Sequence, residues 1–190
     1  DGAPVAWLAR AAGARTVERV TGVDLVAEVC RRGAAAGLRV AMYGSEPGTA
    51  RAAARVLEER YPGLAVVSII CPPFREQTES EVAEDLAELV AADPQFVLVA
   101  LGCPRQERFI ARFAHILPAA VWIGVGGTFD FFAGRRARAP RFAQRLGGEW
   151  VIRLAQEPRR LWRRYLVDDI PALVLVAPGC LRRRLRGSPA

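Results

Sequence analysis

The chain has no lysine: all 27 of its basic residues are arginine. Codon bias in a GC-rich genome accounts for that without any appeal to function. There is one histidine, His115, and the four cysteines (Cys30, Cys71, Cys103, Cys180) form no CxxC pair. The spacing of a zinc site is therefore missing, and scattered cysteines fit a reducing compartment. No D-x-D triplet occurs. A divalent metal bridging a sugar diphosphate usually needs such carboxylates, since Mg²⁺ takes oxygen ligands. GxGxxG and the P-loop are absent too, which counts against a dinucleotide or ATP site. No apolar run reaches the roughly 18 residues of a membrane span, and no signal peptide opens the chain. The expectation is a soluble or peripheral protein with neither a metal nor an organic cofactor.

What is present fits one domain of 190 residues with a sizeable core, and 52% hydrophobic residues exclude general disorder. A net charge of +7 and a pI near 10.2 favour an anionic partner. Nucleic acid, phospholipid headgroups and sugar diphosphates all qualify on charge alone.

Helical stretches alternate with short β-branched runs, which points to an α/β fold, a Rossmann-like and mostly parallel sheet flanked by helices. Four nearly continuous apolar runs read as buried strands: Leu38–Tyr43, Ala65–Ile70, Phe96–Leu101 and Val121–Gly126. Asp24 is placed to cap a helix over Leu25–Ala36, stopped by Gly37. Ser45 and Pro47 suit the cap and first turn of a helix reaching Tyr61. Thr78 and Glu81 have capping-box spacing before a helix that ends at Asp93-Pro94, and Pro104 opens another through Ile116. His115 reads as filler late in that helix. Composition shifts near residue 148, where arginines begin to alternate with Trp, Leu and Tyr. This divides the chain into a core, 1–147, and a basic amphipathic helical C-terminal appendage, 148–190.

Open parallel sheets bind ligands beyond the carboxyl ends of their strands, so three turns are candidates. Gly44-Ser-Glu-Pro-Gly48 opens a helix whose free N–H groups suit phosphate, although an ordinary strand-to-helix turn fits equally well. Gly102-Cys-Pro-Arg-Gln-Glu107 puts Arg105, Gln106 and Glu107 in a first helical turn, where Glu107 also suits a capping role. In Gly124-Val-Gly-Gly-Thr-Phe-Asp130, Gly126 and Gly127 allow close backbone approach to a ligand or another segment. Asp130, between two phenylalanines, needs either a ligand or bonds from loop amides.

Thr16-Val-Glu-Arg-Val-Thr-Gly-Val-Asp24, Ala100–Glu107, Gly124–Gly134, Arg138-Ala-Pro140 and Arg153-Leu-Ala-Gln-Glu-Pro-Arg-Arg-Leu161 resemble, in order, the blocks of the WecG/TagA/CpsF glycosyltransferases. The resemblance implies an inverting, metal-independent transferase. Its donor is a UDP-sugar carrying N-acetylmannosamine, its uronic acid or a glucose-type sugar. Its acceptor is a sugar on undecaprenyl diphosphate, in teichoic acid, enterobacterial antigen or capsule assembly. The family's general base maps to Asp1, and a segment precedes that Asp in the family, so the chain reads as N-terminally truncated. Arg19 maps to a core arginine near the site, and Gln106 to a polar residue at the sugar or its phosphates. Arg153, Arg160 and Arg163 map to the appendage, thought to close over the site at the membrane; lipid headgroups are their other reading. Gly44, Glu107, Gly126, Gly127 and Asp130 complete the candidate substrate-binding set.

The expected partners are the UDP-sugar, the polyprenyl-diphosphate-linked acceptor, an anionic membrane surface at the cytoplasmic face and, from the resemblance, further copies of the chain, without nucleic acid. Three other classes remain open: a basic nucleic-acid-binding module, a nucleotide-dependent oxidoreductase and an inactive UDP-sugar-binding relative.

Overall fold

The structure is a computed structural model that describes residues 3–14, 16–140 and 170–185, together with 148, 151, 154, 155, 162 and 167. Two compact units emerge: residues 22–137 form one, and residues 1–21 with 138–190 form the other.

The 22–137 unit is the α/β fold expected. Four parallel strands, β1 (Arg39–Gly44), β2 (Ala65–Ile70), β3 (Phe96–Ala100) and β4 (Val121–Gly124), lie in the order β2-β1-β3-β4. The register pairs Tyr43 with Ile70 on one side of β1 and with Val99 on the other, so the carboxyl ends of the three strands are level. The strands match the apolar runs except at their ends, where backbone bonds decide. Leu38 donates its N–H back to Gly33 O, so only its carbonyl, which accepts from Ala65 N–H, joins the sheet. Ser45 N–H takes Ala100 O, which leaves Leu101 outside β3. Gly126 turns the chain at φ 54°, so β4 stops short of it.

The helices are α2 (Gly22–Gly33), α3 (Pro47–Arg60), α4 (Glu79–Ala92), α5 (Arg105–Phe113) and α6 (Thr128–Phe132); α1 belongs to the other unit. Three expectations at their ends need correction. Asp24 is not a cap, because α2 already begins at Gly22; its charge sits in the first turn, where it favours the helix N-terminus. The helix is also displaced three residues toward the N-terminus, ending at Gly33 and giving way to a 3₁₀ turn over Ala34–Ala36 before Gly37 at φ 66°. Ser45 is not a cap either. Its N–H is spent on β3 and its φ is 66°, so Glu46 holds the cap position and Pro47 opens α3. Thr78 does form the capping box: Glu81 N–H donates to Thr78 Oγ1 at 3.3 Å, and Thr78 N–H to Glu81 Oε2 at 2.8 Å. Arg75 donates to the same carboxylate at 2.7 Å, and that bond leads in holding it down to about 2. His115 is exposed in a 3₁₀ turn after α5.

Side-chain alternation along β1 sorts the core into two layers. Val40 and Met42 face α2, α3 and α6, where Val26, Ala50, Ala53, Leu57, Phe129 and Leu98 bury them. Ala41 and Tyr43 face α4 and α5, with Val97, Val99, Leu89 and Phe109. Helices thus cover both faces, and all four of these β1 side chains are fully buried.

In the other unit α1 (Ala3–Ala11) packs against α7 (Ile170–Leu185), which takes in the apolar Ile170–Pro178 stretch. Arg10 Nη2 donates to Val17 O at 2.8 Å, and Arg138 Nη2 to Thr21 Oγ1 at 3.3 Å. Val5, Trp7, Ile170, Val174, Leu175 and Val176 are exposed, Leu175 to 80%. Among the described residues no helix is long and apolar enough to cross a membrane.

Candidate functional site

The strand order places a topological switch point between β1 and β3. From β1 the chain moves outward to β2, then crosses back to β3 and on to β4. Loops leaving β1 and β3 therefore part to opposite faces and open a crevice at the carboxyl edge, the usual ligand position in such sheets. Gly44, Gln106, Glu107, Gly126, Gly127 and Asp130 all lie on that edge of the 22–137 unit.

Gln106 ties two of the turns together. It is 7% exposed; its Oε1 accepts the Gly126 N–H at 3.0 Å, and its Nε2 donates to Glu107 Oε1 at 2.9 Å. Room for it comes from Gly124, where an added Cβ would stand 2.7 Å from Gln106 Nε2 and 3.0 Å from Cδ. The side chain thus locks the start of α5 to the turn after β4 and steadies the exposed Glu107 carboxylate. Asp130 is neither deeply buried nor held only by loop amides. Its side chain is 24% exposed and its Oδ2 lies 3.4 Å from Arg136 Nε, so an ion pair supplies the partner its setting requires. Arg135 reaches back to Glu46 at 2.7 Å and lies against Gly48, which links the end of α6 to the start of α3. Gly44 makes its close approach to the protein itself: at φ 104°, an added Cβ would meet Ala100 C and O at 2.7 Å.

A second polar group under the same edge is not marked in the sequence. Tyr43, fully buried at the end of β1, donates its hydroxyl to Asp85 Oδ2 at 2.7 Å. Gln77 Nε2 donates to the same oxygen at 2.7 Å, and Gln77 Oε1 lies 3.1 Å from the Tyr43 hydroxyl. Burial first, and then the bond to Asp85, pushes the phenol well above its ordinary pKa. Tyr43 is therefore a neutral anchor for the loop after β2, not a base. Burial likewise raises the Cys71 thiol, whose Sγ lies 3.8 Å from Gly44 O, and takes Cys30 to about 11. Neither is an activated nucleophile. Among the described residues no three His, Cys, Asp or Glu side chains gather as a metal-binding set.

Arg19 is partly buried and belongs to the other unit. Asp1, Arg153, Arg160 and Arg163 lie outside the described residues.

Comparison with known proteins places these residues in context. The model of the glycosyl transferase WecG/TagA/CpsF family matches residues 1–187. An N-acetylglucosaminyldiphosphoundecaprenol N-acetyl-beta-D-mannosaminyltransferase of Bacillus subtilis is 34% identical over 175 residues, 92% of this chain and 65% of that protein. The enzyme of the same name from Bacillus spizizenii is 34% identical over 174 residues, with the same two shares. The chain thus spans 65% of the length of these curated relatives.

Proposed function

The chain belongs to the WecG/TagA/CpsF glycosyl transferase family, and on that footing we propose that it transfers N-acetylmannosamine, or a related sugar, from a UDP-sugar to a sugar on undecaprenyl diphosphate. The observation that carries this reading is the switch-point crevice, whose β1, β3 and β4 turns hold six of the candidate residues on one edge of the sheet. A nucleoside diphosphate suits that position on general grounds.

The reaction is an inverting displacement. Asp1 takes the proton of the acceptor hydroxyl as that oxygen bonds to the anomeric carbon. The bond from the anomeric carbon to the β-phosphate oxygen breaks on the opposite face, and its electron pair departs with UDP. Guanidinium groups neutralise the charge that builds there, in place of a metal. Arg19 from the core and Arg153, Arg160 and Arg163 from the appendage serve this purpose. The test is transfer from UDP-N-acetylmannosamine to a polyprenyl-diphosphate-linked N-acetylglucosamine, with and without a chelator. Turnover that is unchanged by the chelator is expected. Turnover lost with the chelator overturns the metal-free mechanism, and transfer from neither donor nor related UDP-sugars overturns the function.

The acceptor cannot leave the bilayer, so the enzyme works at the membrane surface. Support comes from the exposed apolar side chains of α1 and α7, within a chain whose C-terminal sequence is rich in arginine. Apolar insertion and attraction to an anionic leaflet act together in such surfaces, each basic residue near the leaflet adding about 1 kcal/mol. Replacing Trp7 and Leu175 together by Glu is expected to release the protein from anionic vesicles in a flotation assay. Undiminished binding by the folded double variant removes these helices from the membrane contact.

A further inference from the structure

Arg105 is the first residue of α5, immediately beyond the loop that leaves β3 at the switch point. Its direction follows from the helix it opens. Residues four apart share a helix face, and side chains lean toward the N-terminus. Phe109, one turn on, stacks on Tyr43 with ring centroids 4.3 Å apart. Arg105 therefore stands on the Tyr43 side of α5, toward the carboxyl end of β1. Gln106, one position on, is turned inward to Gly126.

The guanidinium is exposed and makes no hydrogen bond or ion pair with another described residue. The positive charge of Arg105 is felt at the Tyr43 phenol, which agrees with the direction derived from the helix face.

We propose that Arg105 is a diphosphate-binding residue of this site, holding the β-phosphate oxygens of the nucleotide and taking up the charge that collects on them as the anomeric bond breaks. The assignment rests on the UDP-sugar reading above. It differs in placing a guanidinium on the sheet edge of the 22–137 unit itself. A planar, permanently charged donor suits two phosphate oxygens at once.

Calorimetric titration of the chain with UDP and with uridine, comparing wild type, Arg105→Gln and Arg105→Lys, tests this directly. Arg105→Gln is expected to weaken UDP binding about tenfold or more, the effect of losing a charge-assisted contact. Uridine affinity should be unchanged, and Arg105→Lys should recover part of the loss. Wild-type UDP affinity in folded Arg105→Gln overturns the assignment while the UDP reading stands. Equal weakening of UDP and uridine also overturns it, because the change then acts on the loop and not on the phosphates. A folded wild-type chain that binds no UDP overturns both.

Discussion

Gly44→Ala is expected to destabilise the 22–137 unit by about 2–6 kcal/mol, read as a fall in the urea midpoint. Two costs combine. At φ 104° the residue occupies backbone space that side-chain-bearing residues rarely enter, a strain of about 1–3 kcal/mol. The new Cβ would also lie 2.7 Å from the carbonyl carbon and oxygen of Ala100, which are backbone atoms of the neighbouring strand and cannot rotate aside. Forced repacking of that kind adds about 1–3 kcal/mol. Gly102→Ala separates the two terms. Gly102 also has positive φ, 76°, but nothing lies within 4 Å of its Cβ position, so only the strain should appear. Equal losses in the two variants would show that contact with Ala100 contributes nothing.

Phe129→Ala should cost about 3–5 kcal/mol, the range for removing a buried aromatic. Phe129 is fully buried in the layer that holds Met42, Ala54 and Leu57, and its helix α6 packs on α3 and α2. Because α6 is only five residues long, it has little stability of its own and depends on this ring to stay in place. Asp130 is the next residue, so the Arg136 ion pair should loosen with the fold. A loss under 1 kcal/mol in the same urea titration would mean that the layer closes over the gap and that Phe129 does not hold α6.

Much of the fold is legible in the sequence because parallel strands between helical layers are mostly apolar. Ala65–Ile70, broken only by Ser68, whose hydroxyl bonds Glu88, is read without an error at either end. Of the ends that shift, Leu101 is settled by the bond from Ser45 to Ala100, between segments far apart in the chain, which a local pattern does not carry; Leu38 and Gly126 shift for local reasons, a bond to Gly33 and a turn at positive φ. The same limit applies to the site. The glycine-rich turn and the first turn of α5 are visible locally, but the Tyr43–Asp85 bond spans 42 residues and the Glu46–Arg135 pair 89. Nothing near Tyr43 announces its acceptor. The inward turn of Gln106 is less legible: it lies four residues before Ile110, but Arg105 stands equally four before Phe109 and is exposed. Asp130 was recognisable as a carboxylate in need of a partner, but Arg136 is one of several nearby arginines and spacing alone does not choose among them.

β1 is bonded along both edges and covered on both faces. Its amides should therefore be among the slowest in the unit to exchange with deuterium, opening only when the whole unit unfolds. The turn from Gly44 to Gly48 hangs from the end of that strand. The nucleotide proposed for that edge would meet a loop whose root is already rigid, so little conformational entropy would be left to lose on binding. Heat or denaturant should then abolish its affinity in the same cooperative step that unfolds the sheet, with no earlier phase in which the turn softens while the strands persist.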